Sequence, residues 1–251
     1  MKIAIINDDV KSKIIEAAGD AYNRYLLPVA KDCHVDLSAE NCTKEDIGYV
    51  CAMAGYKPAS KDVLTFSGST LSSASIFLSK DAVSLKERKE TLKQRICREI
   101  IAEFLKNEDF SDANCLRVMD EIFEIMYFRE NVRDFSYGNA QKWVNMAIKF
   151  YLIVKAKREY GLDMIRLVEE TNLFGYDLFP VDSIMIATIE KDYGIMSARS
   201  DVNAPFPAPA PWSSCNSKIT FIEYWKFAKK KCDPVKPLIY EMHNWKPKNN
   251  P

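Results

Sequence analysis

Tyr137-Gly-Asn-Ala-Gln-Lys-Trp-Val-Asn-Met-Ala-Ile-Lys149 decides the reading of this chain. It opens the most hydrophobic stretch of the sequence, predicted as a helix from about Asn139 to Glu159 that ends at Gly161 and forms the central buried helix. Lys142, Asn145 and Lys149 fall at i, i+3 and i+7 and share one face, while Val144, Met146, Ala147, Ile148, Phe150 and Tyr151 surround them with apolar surface. An unpaired buried ammonium costs several kcal/mol, so a polar stripe on such a helix faces a partner or a cavity, or the whole face stays in solvent. Lys142 lies near the helix N-terminus, where the dipole and desolvation both favour a neutral, nucleophilic amine.

Working outward, Pro180 precedes Asp182, which has the chemistry of an N-cap for a helix running to about Tyr193. Asp163 to Thr171 reads as a short helix. On the N-terminal side, Ser111 or Asp112 starts a helix to about Tyr127, followed by a polar turn to Ser136. Ser84-Leu-Lys-Glu87 reads as a capping box for a helix to about Lys106, with Leu92, Ile96, Cys97, Ile100, Ile101 and Phe104 on one stripe. Residues 9 to 27 form a helix closed by Pro28, and Thr43 caps another that Gly55 stops near Ala54. Met1–Asn7 is a short strand or an arm. Residues 57 to 79, rich in serine and threonine, form an irregular connection. Prolines at 205, 207, 209 and 211 enforce an extended surface segment over 202–212, and Thr220-Phe-Ile-Glu223 is a second capping box opening a helix to about Lys230.

The expectation is a mainly α-helical, compact multi-helix protein. It forms a single domain over 1–251, or two lobes of about 1–130 and 131–251. With 251 residues and 47% hydrophobic side chains, the chain can bury a sizeable core. Eight glycines and 28% charged residues favour long helices over turn-rich β folds. Lys+Arg and Asp+Glu balance at 35 each, which gives no global attraction to nucleic acid or an anionic membrane. From Asn216 onward, lysines outnumber acids, and this basic end reads as a solvated helix face or a local basic surface. Seven cysteines without a C-x-x-C spacing, and no long apolar run, point to reduced thiols, a cytoplasmic location and no membrane partner. Cys33, His34 and Cys42 are neighbours, yet with only two histidines in the chain no metal site is expected. The composition says nothing of oligomeric state.

Gly138-Asn-Ala-Gln-Lys142 resembles the G-x-G-x-K hairpin of the helix-hairpin-helix DNA glycosylases, and Phe179-Pro-Val-Asp182 resembles that superfamily's P-V-D segment. Order and direction agree over about 60 residues. Ala140 stands where the family has its second hairpin glycine, and Ile184 where it has a histidine; the gap from Lys142 to Asp182 is closer to that of archaeal 8-oxoguanine glycosylases. The resemblance implies a helix-hairpin-helix fold and a DNA partner. It implies that Lys142 displaces an oxidised base such as 8-oxoguanine through a Schiff base, assisted by Asp182, with no cofactor. Gln141, Asn145, Lys149, Trp212 and Ser213 are then candidates for substrate binding, and Gly138, Ala140 and Lys218 for the DNA backbone. Trp143, Phe174, Tyr176, Trp225 and Trp245 are further stacking candidates. Trp212-Ser-Ser-Cys215 either lines the same pocket or anchors the proline segment to the body. The alternative is a non-catalytic relative that binds a nucleotide or a protein partner, for example in bacterial defence.

Overall fold

The structure is a computed structural model that describes residues 6–59, 85–130, 132, 135–171, 177–193, 212–233 and 235–244. Helices dominate, and no strand occurs among the described residues. The segments 1–5, 60–84 and 202–211, with most of the expected strand or arm, the serine-rich connection from 60 onward, the Ser84 cap and most of the proline segment, lie outside them; residues 57–59, expected to begin that connection, instead continue a helix. No described helix is long and apolar enough to cross a membrane.

The helices are α1 (Asp8–Ala21), α2 (Leu27–Asp32), α3 (Lys44–Ala59), α4 (Leu85–Arg95), α5 (Glu103–Asn107) and α6 (Asp112–Phe123), then α7 (Tyr137–Tyr160), α8 (Met164–Glu170), α9 (Ser183–Tyr193), α10 (Lys218–Cys232) and α11 (Pro237–Asn244). The central helix of the sequence reading is α7. It begins at Tyr137 because Ser136 and Asn139 cap it reciprocally: the Ser136 hydroxyl accepts the Asn139 N–H at 3.1 Å, and the Asn139 side chain accepts the Ser136 N–H at 2.9 Å. It ends where Gly161 adopts the left-handed conformation, φ 59°. Every residue from Tyr137 to Val154 is buried, with Lys142 alone near the rim, so the reading that leaves the whole polar stripe in solvent is excluded.

The closest companion of α7 is α3. Gly55 does not stop α3; it lies inside the helix. A Cβ there would sit 2.9 Å from the Ala147 nitrogen and 3.0 Å from the Trp143 carbonyl oxygen, so this glycine serves the close approach of two backbones. Trp143 fills the neighbouring space, donating its indole N–H to the Ala52 carbonyl at 2.9 Å.

Pro28 does not close the first helix either. A π-helical turn, Tyr22–Leu26, joins α1 to α2, and the Leu27 N–H bonds back to the Tyr22 carbonyl. The widened turn accommodates a proline that a regular helix interior would reject, and Pro28 falls in the first turn of α2. Similar turns continue α4 into α5 (Ile96–Ala102) and extend α6 (Glu124–Arg129).

At the C-terminal end, α10 starts at Lys218. Its cap is Ser217, whose hydroxyl accepts the Thr220 N–H at 3.2 Å, rather than the expected Thr220–Glu223 box. Beyond it, α11 is a helix the sequence reading missed. It packs on α1, α9 and α10 and buries Leu238, Ile239, Tyr240 and Met242. The buried apolar side chains form one continuous cluster from Val10 to Met242.

Candidate functional site

Two elements bring Lys142 and Asp182 together across 40 residues of sequence. Lys142 projects from the second turn of α7, and Asp182 is the N-cap of α9. One carboxylate oxygen, Oδ1, accepts the N–H groups of Ile184 and Met185, each at 3.0 Å, which is the capping role expected of it. The other, Oδ2, lies 3.1 Å from Lys142 Nζ. Their side chains are 11% and 19% exposed, so the pair sits at the rim of the core with an edge toward solvent.

Trp212 completes the surroundings of the ammonium. Its ring centroid lies 4.4 Å from Lys142 Nζ, a cation–π contact that offsets part of the desolvation of the charge. Of the stacking candidates, Trp143 and Trp225 belong to the core, with Trp225 donating to the Phe179 carbonyl at 3.0 Å. Phe174, Tyr176 and Trp245 lie outside the described residues. Trp212 is the half-buried indole that meets Lys142.

The Trp212 segment is seated on the start of α7. Ser136 donates its hydroxyl to the Ser213 carbonyl at 2.7 Å, the Gly138 N–H bonds the Cys215 carbonyl at 3.0 Å, and the Tyr137 N–H bonds the Asn216 side chain at 3.2 Å. A Cβ on Gly138 would lie 1.8 Å from the Trp212 carbonyl oxygen, so glycine is what lets this segment lie flat on the helix. The three residues expected to hold the DNA backbone are engaged otherwise. The Gly138 amide is given to Cys215, the Ala140 amide bonds the Ser136 carbonyl with its methyl fully buried, and Lys218 pairs with Asp120 on α6. The Gly138 and Ala140 amides are thus spent within the protein, where a phosphate site needs them free. Ser213, expected to bind substrate, offers its carbonyl to Ser136.

Deeper along the same face, Lys149 does not join Lys142. It pairs with Glu241 of α11 at 2.8 Å, with side chains 0% and 3% exposed. Burial pushes the Glu241 carboxyl above its ordinary range; Lys149 pulls it down, Asp182 raises it again and Lys142 opposes that, so the two ion pairs feel each other. Glu241 is the residue the sequence reading missed. The available signal was the run Pro237–Met242, a proline followed by apolar residues with one carboxylate among them, and the need of a buried Lys149 for a partner.

Gln141 and Asn145, expected to bind substrate, are engaged within the protein. The Gln141 amide donates to the Val181 carbonyl at 2.7 Å and its oxygen accepts the Val181 N–H at 3.1 Å. Asn145 donates to the same Gln141 oxygen at 3.3 Å.

The arrangement offers one primary amine beside a carboxylate and an aromatic face, reachable from solvent along one edge. An amine becomes a nucleophile once it has lost its proton, and the carboxylate oxygen 3.1 Å away is within reach of that proton. Among the described residues, no group of three or more His, Cys, Asp or Glu side chains is arranged to hold a metal ion. The chain matches no family model, no curated protein and no solved structure.

Proposed function

We propose that this protein processes a damaged base in DNA, with Lys142 as the nucleophile and Asp182 as its proton acceptor. The observation that supports the reading is the 3.1 Å pairing of these two side chains at the rim, with Asp182 also capping α9 and Trp212 across the ammonium. The resemblance of Gly138–Lys142 and Phe179–Asp182 to helix-hairpin-helix glycosylases implies the same two residues, with Asp182 stabilising positive charge that develops on the sugar while it caps its helix. In the step envisaged, an Nζ proton passes to Asp182, and the freed amine attacks C1′ of the nucleotide. The C1′–N bond breaks with its electron pair leaving on the base, which is then protonated. As the C1′–O4′ bond opens, its electron pair stays on O4′, which takes up the second Nζ proton, and a protonated imine forms between Lys142 and the sugar. The base has to leave the duplex stack to reach Lys142, and Trp212 is the aromatic surface nearest the amine.

Borohydride reduces such an imine to a stable amine. Incubation with an 8-oxoguanine duplex and borohydride is expected to give a covalent protein–DNA adduct that Lys142→Gln abolishes. Absence of an adduct with 8-oxoguanine and with other oxidised bases overturns the catalytic reading.

A second reading, a non-catalytic protein that binds a nucleotide through the same rim, is favoured by one observation. The first amides of α7 are already committed to Cys215 and Asn216. For that reading, nucleotide affinity without trapping is expected, and loss of affinity in both Lys142→Gln and Trp212→Ala is its signature.

A further inference from the structure

We propose that Gln141 is the positioning residue of the site: through the backbone of Val181 it sets where the Asp182 carboxylate stands relative to Lys142. The chemical consequence rests on the base-processing reading; the positioning itself does not.

The bonding is bidentate. Gln141 Nε2 donates to the Val181 carbonyl at 2.7 Å while its Oε1 accepts the Val181 N–H at 3.1 Å, so one side-chain amide pairs with one residue's backbone as a neighbouring strand would. Residues 177–182 have no regular secondary structure to satisfy these groups, and Val181 is fully buried, so without Gln141 both would be buried and unpaired. The orientation of the amide is fixed from behind. Asn145, one turn along α7, donates to Gln141 Oε1 at 3.3 Å, so the oxygen faces two donors and the nitrogen faces a carbonyl; a flipped amide would oppose all three contacts.

Two adjacencies turn this clamp into a positioning device. Gln141 precedes Lys142, and Val181 precedes Asp182. One turn of α7 therefore carries the amine and also holds the backbone from which the carboxylate springs. With Val181 pinned, the Asp182 side chain places Oδ1 on the Ile184 and Met185 amides and leaves Oδ2 toward Lys142. The other ties of this segment run elsewhere. The Phe179 carbonyl accepts from Trp225 of α10, and Asp177 pairs with Lys229 and Lys236. Those contacts hold the segment to the C-terminal part of the chain, the Asp177 N–H given to Asp112 at 3.0 Å ties it to α6, and Gln141 registers it against the helix that bears Lys142.

The test is Gln141→Met in the full chain, a variant of similar length that loses both bonds. Three quantities are compared with wild type: amide hydrogen exchange at Ile184 and Met185, the rate at which an acetylating reagent labels Lys142, and the single-turnover rate of borohydride trapping set beside duplex affinity. Exchange at the two capping amides and Lys142 labelling are each expected to rise about tenfold, and trapping to slow about tenfold at unchanged duplex affinity. A purely structural role would alter exchange at Val181 alone; wild-type values at Ile184, Met185 and Lys142 overturn the proposal. Should wild-type protein give no adduct while Gln141→Met still loosens the cap and exposes Lys142, the base-processing reading falls and the positioning stands. Should Gln141→Met fail to fold, Asn145→Ala is measured instead. It releases the amide orientation, and a rise of about threefold in the same exchange and labelling rates is expected. Wild-type rates there likewise overturn the inference.

Discussion

Two of the lysine–carboxylate pairs on helix α7 lie seven residues apart on one face, and their surroundings differ. Lys142–Asp182 keeps an edge toward solvent, its carboxylate also serves as a helix cap, and an indole lies over the ammonium. Lys149–Glu241 is closed, at 0% and 3% exposure, and the second oxygen of Glu241 has no hydrogen-bond partner among the described residues. Residue type is nearly the same in the two pairs; depth is not. A buried pair recovers the desolvation of its ions only from groups inside the protein, which makes it a commitment of the fold, whereas a rim pair can exchange its partner for a ligand. Helical spacing alone groups these lysines together, and the packing of α11 separates them.

The largest effects are expected where the inner pair is broken. Glu241→Gln leaves a buried ammonium facing a neutral amide and is expected to destabilise the protein by about 3–5 kcal/mol, measured by denaturant unfolding. Lys149→Met is expected to cost less, because the carboxyl left behind is already biased toward its neutral form and can protonate. The double variant Lys149→Met with Glu241→Leu is expected to recover most of the loss, since apolar replacements remove both desolvation penalties together. Lys142→Gln, by contrast, is expected to cost about 1–2 kcal/mol while removing any adduct with DNA. Equal losses of stability for Lys142→Gln and Glu241→Gln would erase the distinction between rim and core.

Next in size is Gly138→Ala. The new methyl would meet the Trp212 carbonyl oxygen at 1.8 Å, and backbone cannot move aside as a flexible side chain would. A destabilisation of about 1–3 kcal/mol is expected. Faster amide exchange at position 138 is expected too, because its bond to the Cys215 carbonyl opens as the segment lifts away. If stability falls but that amide stays protected, the strain has been absorbed in α7 and Trp212 keeps its place over Lys142.

Where structure follows from neighbouring residues, the sequence was a sufficient guide. The extent of α7, its end at Gly161, the cap at Asp182 and the short helix between them are set by local hydrogen bonding and by one left-handed glycine. Gly55 and Pro28 carry the same local signals, yet both lie within continuing helical segments. Gly55 answers to Ala147 some 90 positions away, and Pro28 is relieved by a π-helical turn that no propensity announces. The site divides the same way. Lys142 and Asp182 could be named from short motifs, and their pairing then follows from the two helices that carry them. Gln141 and Asn145 look like ligand contacts in the sequence because nothing local reveals Val181 as the partner of Gln141, whose side-chain oxygen in turn accepts from Asn145. Glu241 was hidden in a lysine-rich end whose charges suggest a solvated surface, and only the docking of α11 takes it into the core.

The smallest expected effect is a difference in pH dependence, and it contrasts the inner pair with the ion cluster at Asp177. Burial alone would raise the Asp177 carboxyl, but bonds to Lys229 and Lys236 outweigh it and hold the group below its ordinary range. The unfolded state then binds more protons than the folded one through that window, so stability from Asp177 is present above the unfolded carboxylate value of about 3.9 and is lost as pH falls toward the folded one. Glu241 works in the opposite sense. Its folded-state value is raised, so the folded protein holds the proton longer, and its contribution falls as pH rises from the unfolded value of about 4.3 toward the folded one. Urea unfolding across roughly pH 3 to 7 separates the two. Asp177→Asn is expected to flatten the loss of stability at the acid end, and Glu241→Gln to make the slope above pH ~4.3 more positive by removing a negative contribution. A slope unchanged by Glu241→Gln would mean that Lys149 alone keeps the carboxylate charged. Depth would then not be what distinguishes the inner pair from the rim pair, and the contrast drawn from burial would fail at its most buried residue.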